Sequence, residues 1–201
     1  LRPIQHRPNL TVMTNTQVQR LALESDANGP RATGAWITKG QDAPSLLTAS
    51  REVILAAGAV ASPQILQLSG IGDPALMQQL GRDSAVDLPG VGQNLQDHLQ
   101  IRSIYKVSNT TTLNPRVNSL VGKALMGLEY LLFKTGPLTM PPSQLGAFAK
   151  SDEAQPTPNM EWHVQPLSLD QFGSPLHRFN AITPSVCNLR PASRGAITAQ
   201  S

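Results

Sequence analysis

A short apolar run that passes straight into small residues constrains the fold more than any other part of the chain. Residues Val53 to Ala57, "VILAA", show no polar alternation, which is typical of a strand buried on both faces of a parallel sheet. Gly58 and Ala59 follow at once. Ser62-Pro63 then forms a helix-start signal, with serine as N-cap and proline at the first helical position. This order of elements predicts an α/β fold whose parallel sheet contains Val53 to Ala57.

The residues before this junction predict an antiparallel meander. Four extended segments are expected there: 9–15, 18–25, 32–39 and 45–57. Asn28-Gly29 readily takes positive φ values and Pro30 stops continuation, so we expect a tight turn at that point. Short strands joined by turns of this kind pair with their neighbours in sequence.

Turn and cap residues continue the pattern after the junction. Gly70 predicts a left-handed end to the first helix. Asp73-Pro74 repeats the helix-start signal, and Gly81 repeats the stop. Pro89-Gly90 then predicts a turn.

A longer helix is expected at residues 118–134. Its apolar residues recur at helical spacing: Leu120, Val121, Ala124, Leu125, Leu128, Leu131 and Leu132. We interpret this stripe as facing a core, with a membrane-surface helix as the alternative that the few basic residues disfavour.

The remaining residues predict a second, antiparallel sheet. An irregular loop rich in proline and glycine is expected at 136–148, and strands are expected at 159–167, 179–189 and 195–201. Alternation within the first of these strands puts Met160, Trp162 and Val164 on one face, and Glu161, His163 and Gln165 on the other.

Composition sets the class of protein. The 201 residues suffice for two domains, which we place at 1–105 and 106–201. A net charge of +3 without a dense block of basic residues argues against nucleic acid as a partner. Cys187 is the single cysteine, which excludes an internal disulfide and any multi-cysteine metal site. No signal peptide is recognisable and both ends look cut, so we expect an internal piece of a longer protein.

The stretch "GAVASPQILQLSGIG", residues 58–72, resembles the second signature of the glucose–methanol–choline flavin oxidoreductases. Further segments are similar to that family and come in its order: "RPNLTVMTNTQVQRL", "REVILAAGA", "DLPGVGQNLQDHL" and "SRGAIT". The resemblance covers nearly the whole chain, and the nearest subgroup is that of choline-dehydrogenase-like and aliphatic alcohol dehydrogenases. It implies part of an FAD-binding Rossmann-like domain with a β-meander, followed by part of an antiparallel-sheet substrate domain.

The resemblance also implies where the FAD cofactor would lie. In the family the strand end and the following glycine lie beside the adenosine, which assigns Ala57, Gly58 and Ala59 to the cofactor wall because small residues permit close backbone approach. Val18 matches the meander residue whose backbone meets the adenine in relatives. Two plainer interpretations stay open: a tight strand-to-helix turn at Gly58, and an ordinary strand residue at Val18.

The four histidines are the remaining candidates for a catalytic or binding role. A structural role for His98, tying its loop by hydrogen bonds, is favoured over a catalytic one. His163 belongs to the substrate cavity if the Glu161 face of its strand lines that cavity. His6 and His177 carry no signal, and no histidine has metal-ligand partners at a recognisable spacing along the chain.

Two parts of the family's machinery are not found among these residues. The Gly-x-Gly-x-x-Gly motif that cradles the pyrophosphate does not occur. The resemblance places the catalytic histidine, with its paired His or Asn, beyond "SRGAIT". It implies that an alcohol is oxidised over the flavin, with its hydroxyl proton taken by that histidine and its hydride passed to flavin N5. We therefore expect no acid, base or nucleophile here and no activity from the isolated chain.

The expected substrate is an uncharged primary alcohol. In relatives that act on choline a glutamate faces the quaternary ammonium, and Gln144 stands at the matching position. A neutral amide cannot pair with a permanent cation, and the loop has no aromatic cluster to cage one. An electron acceptor is the further expected partner. The protein is expected in the cytoplasm, with peripheral association with the inner membrane as an alternative. The alternatives are an FAD-containing hydroxynitrile lyase and an inactive fragment.

Overall fold

Three strands near the start of the chain form the antiparallel meander that the sequence predicts. The structure is a computed structural model that describes residues 2–27, 29–141 and 143–200. Strand β1 (Thr16–Asp26) pairs with β2 (Gly29–Lys39), and β2 pairs with β3 (Ser45–Thr48). The predicted turn falls partly on Asn28, outside the described residues, while Gly29 has a φ of 106°. The stretch 9–15, expected to be extended, forms no strand.

Helix α1 (Gly58–Leu68) begins earlier than its proline suggested. The prediction that Ser62 and Pro63 start the helix is wrong, because Gly58 turns the chain with a φ of +85° and Ala57 is the N-cap. The Ser62 hydroxyl instead accepts a hydrogen bond from the Ala57 N–H at 3.1 Å, which satisfies one of the amides that a helix start leaves free. The local signal marked the right region but the wrong residue.

Residues Val53 to Ala57 do not form the predicted strand of a parallel sheet. Val53 and Leu55 pack on the core of Leu21, Ile65 and Ile71, while Ile54 points the other way and is 81% exposed. A strand needs a neighbour that accepts its backbone hydrogen bonds, and no described segment pairs with this one. The run is apolar on both faces, but the described residues cover only one of them.

The segment after α1 follows its cap residues. Gly70, with a φ of 82°, ends the first helix as predicted. Helix α2 (Pro74–Gln79) begins at Asp73, whose carboxylate accepts from the Ala75 N–H at 2.8 Å, and Gly81 follows its end with a φ of 63°. Among the described residues the one parallel pair joins the short strands β4 (Ile71–Gly72) and β5 (Val86–Asp87).

Five strands of the later residues form the second, antiparallel sheet that the sequence predicts. They are β6 (Gln100–Arg102), β7 (Tyr105–Lys106), β8 (Leu145–Ala149), β9 (Met160–Gln165) and β10 (Ala181–Asn188). Their order is β6-β10-β9-β8, and β7 also pairs with β10. The expected irregular loop 136–148 is shorter than predicted, because residues 145–148 already belong to β8 and Pro137–Thr139 form a 3₁₀ turn.

Residues 195–200, the described part of the last expected strand, do not join that sheet. The prediction of a strand at 195–201 is wrong, since Gly195 makes only an isolated antiparallel bridge to Leu95. The chain accordingly divides into Leu1–Gln96 with Ser193–Ser201, and Asp97–Ala192. This differs from the expected 1–105 and 106–201 because β6 pairs with β10 and because the tail bonds back to the first unit.

Two helices precede β8 in the second unit: α3 (Leu113–Asn118) and α4 (Leu120–Phe133). The Ser119 hydroxyl caps α4 by accepting from the Gly122 N–H at 3.2 Å, and Lys134 ends it in the left-handed conformation. The core-facing interpretation of α4 is wrong for the described residues, since Met126 is its buried residue while Leu120 is 83% exposed. No described helix has the length and apolar character needed to cross a bilayer.

Candidate functional site

The first candidate site lies at the start of α1. Ala57, Gly58 and Ala59 are all exposed. A Cβ added at Gly58 would meet nothing within 4 Å, so the glycine borders open space rather than a packed wall. Its φ of +85° is a conformation that side-chain-bearing residues rarely adopt. The tight turn and the open backbone surface therefore coexist at this residue.

Ala59, the last of these three residues, lines a cavity of about 360 Å³. Ala59, Ser62, Pro63 and Leu66 line it from α1, together with Val91, Gly92, Gln93, Asn94, Leu95, Gln96 and Ile197. Asn94 takes a φ of 64°, which a short polar side chain tolerates. The cavity is thus built from one helix, one loop and the returning tail.

The loop and the tail of this cavity are held together by backbone bonds. The Ile197 N–H donates to the Gly92 carbonyl at 2.7 Å, and Leu95 and Gly195 exchange bonds of 2.9 and 2.8 Å. Gly92 has a φ of 82°, and an added Cβ would collide with the Ile197 carbonyl. The glycine is therefore required by close backbone approach as well as by conformation.

Gln67 connects α1 to both segments. It is fully buried, and its amide donates to the Val91 and Ile197 carbonyls at 3.3 and 2.9 Å. Its carbonyl accepts from the Ala199 N–H at 2.7 Å. No local sequence pattern predicts this role of Gln67, because its partners lie far away along the chain.

Val18, the remaining predicted cofactor residue, lies in β1 rather than at the cavity. Its side chain is half-buried against the core of Leu21, Ile65 and Ile71, and it pairs with Ile37. An irregularity in the register follows directly after Val18. Its contact with the adenine stays a prediction.

The second candidate site is a polar face of the second sheet. Register places Glu161 and Cys187 opposite each other, and likewise His163 and Ser185. On the other side of β10, Gln100 and Arg102 of β6 lie opposite Cys187 and Ser185. The members of this polar face are Gln100, Arg102, Glu161, His163, Gln165, Thr183, Ser185 and Cys187. The alternation predicted for β9 is therefore confirmed.

Side chains on the polar face are bonded to one another. His163 bonds through Nε2 to Gln100, and its Nδ1 lies 3.8 Å from Glu161 Oε1. Arg102 donates to Gln165 Oε1 at 3.2 Å. These pairs fix the direction in which the imidazole and the amides point.

Cys187 is the least exposed titratable group on this face. Its side chain is 3% exposed, and its thiol donates to Glu161 Oε2 at 3.6 Å. Burial, with the hydrogen bond and the negative charge of Glu161, raises the pKa of the Cys187 thiol. Cys187 is therefore a neutral thiol at physiological pH.

Gln144 lines a cavity whose described lining does not include His163. Gln144 precedes β8, where its side chain donates to Met140 Sδ at 2.7 Å and its N–H donates to the Val164 carbonyl at 3.0 Å. It lines a cavity of about 220 Å³ with Thr111, Thr112, Leu113, Arg116, Pro137, Met140 and Pro166. His163 is not among these residues, so its place in a substrate cavity stays a prediction.

His98 is exposed, and its backbone N–H donates to Asp97 Oδ1 at 2.9 Å. That bond involves the backbone and not the imidazole, so the structural role expected for the His98 side chain stays a prediction. The ring, however, also approaches the side chains of Glu161 and Cys187, which the sequence did not predict. Neither spacing nor composition signals this, because the three residues come from distant segments.

His177 has the neighbours of a catalytic triad without its function. Its Nδ1 lies 2.9 Å from Ser168 Oγ, and its Nε2 lies 3.2 Å from Asp170 Oδ1. Ser168 is fully buried, and its hydroxyl accepts from Asn114 at 2.8 Å. A nucleophile must reach its substrate, so this arrangement is structural.

Comparisons with known proteins place these sites in a family. The GMC oxidoreductase family matches residues 1–100. An oxygen-dependent choline dehydrogenase of Stenotrophomonas maltophilia (strain K279a) is 37% identical over 97% of this chain and 34% of its own length. One of Brucella ovis is 36% identical over 100% of this chain and 35% of its own length. The chain thus spans about a third of the length of the curated relatives it matches.

Solved structures share the fold. A formate oxidase of Aspergillus oryzae matches with a TM-score of 0.86 and 22% identity, over 98% of this chain and 39% of that one. Pyridoxine 4-oxidase from Mesorbium loti matches with a TM-score of 0.67 and 25% identity, over 98% of this chain and 34% of that one.

The family model and the relatives place the chain in the class of FAD-dependent oxidoreductases. Within that class, the chain belongs to the GMC oxidoreductase family. The family, the mixed α/β fold class and the FAD cofactor that the sequence predicted are confirmed.

Proposed function

We propose that this chain supplies the adenosine side of the FAD site and part of the substrate-cavity wall of an enzyme that oxidises a primary alcohol. The observation that carries this proposal is the run of exposed small residues Ala57, Gly58 and Ala59, the last of which lines a cavity of about 360 Å³. A large ligand can lie against the chain there without meeting a side chain. When bound, FAD supplies the hydride acceptor of the reaction at N5.

The start of α1 is suited to the polar part of a nucleotide. The first N–H groups of a helix have no intrahelical acceptor and point at whatever binds there. Pro63 has no N–H to give the Ala59 carbonyl, so that carbonyl lacks its usual intrahelical donor. Both residues line the cavity. The backbone bond from Ile197 to Gly92 holds two other lining residues of the cavity together.

The polar face of the second sheet supports a substrate that bears a hydroxyl group. Its amides, hydroxyls and imidazole can both donate and accept hydrogen bonds to a hydroxyl group. Gln144 is neutral and bonds to Met140, so it supplies no charge for a permanent cation. In this proposal the chain orients the alcohol, and the proton acceptor comes from elsewhere in the enzyme.

The test compares two glycine variants in the complete enzyme that carries this chain. Gly58→Val adds a branched side chain at the proposed cofactor wall. Gly40→Val is the matched control, because Gly40 also has a positive φ of 57° and open space around an added Cβ. Both variants carry the strain of a β-branched residue at positive φ, about 1–3 kcal/mol.

We expect Gly58→Val to lose bound flavin and Gly40→Val to retain it, measured by flavin absorbance per folded protein after a cooperative melt is confirmed. Turnover of primary alcohols with an artificial electron acceptor should fall in parallel with flavin content. Full flavin occupancy in folded Gly58→Val would show that the glycine serves only the turn.

A further inference from the structure

Three metal-ligating side chains meet at one edge of the polar face. His98 comes from the segment before β6, Glu161 from β9 and Cys187 from β10. One ligand atom from each residue lies within 4.8 Å of the other two. We propose that His98, Glu161 and Cys187 form a binding site for one divalent transition-metal ion with the ligand preferences of Zn²⁺.

The distances suit a tetrahedral ion. Metal–ligand bonds of 2.0–2.3 Å at tetrahedral angles separate neighbouring ligand atoms by about 3.4–3.6 Å. Cys187 Sγ and Glu161 Oε2 are already 3.6 Å apart. His98 is exposed and must move its ring inward by about 1 Å to complete the set, which rotation of an unconfined side chain permits.

The ligand types select the metal. A thiolate and an imidazole favour borderline and soft cations such as Zn²⁺ and Co²⁺, whereas Mg²⁺ and Ca²⁺ prefer oxygen ligands alone. On binding, the Cys187 proton passes to solvent as the sulfur–metal bond forms. The thiolate and the carboxylate then balance the two positive charges of the ion.

Three protein ligands leave a fourth position open. Glu161 and Cys187 lie on the sheet, and the exposed ring of His98 lies on the solvent side. An open fourth position can take water or another small ligand. His163, with Nδ1 3.8 Å from Glu161 Oε1, is placed to orient the carboxylate as a supporting partner.

Cobalt titration of tag-free, chelator-stripped protein tests the proposal. We expect one Co²⁺ per chain, with the intense visible bands of a tetrahedral site and a thiolate-to-cobalt charge-transfer band in the near ultraviolet. Zn²⁺ should displace the Co²⁺ and abolish both. A folded protein that binds no Co²⁺, or that binds it without the charge-transfer band, would overturn the proposal.

Single-residue variants assign the ligands. Cys187→Ser should abolish the charge-transfer band, and His98→Asn and Glu161→Gln should each weaken Co²⁺ binding at least about tenfold. The matched controls are His6→Asn and Glu153→Gln, since both residues are exposed and lie outside the cluster. Circular dichroism checks that each variant is folded.

His98→Asn is decisive because an exposed side chain can be replaced without disturbing the sheet. Unchanged affinity in that variant, with binding abolished by a His6 or His163 substitution instead, would assign the ion to other ligands and refute the site. The same titration with Mg²⁺ as competitor should leave the cobalt spectrum unchanged.

Discussion

Replacement of Gln67 by leucine should destabilise the first unit far more than the same replacement at an exposed position of α1. Gln67 is fully buried and makes three hydrogen bonds, to the Val91 and Ile197 carbonyls and from the Ala199 N–H. Leucine has a similar volume, so packing changes little. The loss is in the polar groups, which stay buried with no partner.

The magnitude follows from those groups. Each hydrogen bond contributes about 0.5–1.5 kcal/mol net, so that three contribute roughly 3 kcal/mol. A chain of this length loses about 2–4 °C of Tm for each kcal/mol, which predicts a drop of roughly 6–12 °C. Gln64→Leu is the matched control, because Gln64 lies on the same helix but is exposed.

The assay is urea unfolding followed by circular dichroism and tryptophan fluorescence, with the wild type, Gln67→Leu and Gln64→Leu measured side by side. Trp36 lies on β2 of the first unit and reports on it. A loss below about 1 kcal/mol for Gln67→Leu, or an equal loss for Gln64→Leu, would refute the reasoning, since it would mean that solvent satisfies the freed groups.

Three further outcomes are expected. Gly34→Ala should disrupt the pairing of β2 with β3, because its Cβ would collide with the Leu47 carbonyl; a melt unchanged from wild type would contradict this. Ser69→Ala should cost about 1–2 kcal/mol, since the hydroxyl accepts from the Leu21 N–H at 2.8 Å, and urea unfolding measures it. The raised pKa of Cys187 favours its neutral form in the fold, so its contribution to stability is complete below the ordinary value of 9.0 and is lost as pH rises through the raised one. Cys187→Ser should flatten that alkaline loss in urea midpoints taken between about pH 8 and 11, and an identical loss in both proteins would rule the thiol out as its cause.

Local signals predicted the elements whose causes are local. Asp73-Pro74 and Gly81 bound α2 because a cap and a positive φ act within a few residues. The separation of β9 into two faces followed from its period of two, and the strand register confirmed it. The Ser62-Pro63 pair gave a wrong helix start because a serine before a proline is compatible both with a helix start and with the interior of a first turn. The positive φ of Gly58 marks the actual start.

Contacts between residues that are distant along the chain could not be predicted from local sequence patterns. Val53 to Ala57 has the composition of a buried strand, but a strand also requires a partner that composition cannot supply. The sequence did not predict that Cys187 and His98 lie close to Glu161, because this proximity depends on the pairing of β10 with β9. The exposure of the apolar face of α4 could not be predicted either, because helical periodicity shows that an apolar stripe exists but not what packs against it.

The return of the tail to the first unit has a consequence for the order of synthesis. Gln67 bonds to Ala199, 132 residues later. The bond between Gly92 and Ile197 likewise joins the two sequence segments of the first unit. The second unit, Asp97–Ala192, is translated between the two ends of the first. At about 5–20 residues per second, the ribosome needs roughly 5–20 s to deliver it, so the cavity wall at Ile197 is missing throughout that interval. The nascent first unit must therefore keep Gln67 hydrated or transiently paired until its last partner leaves the ribosome.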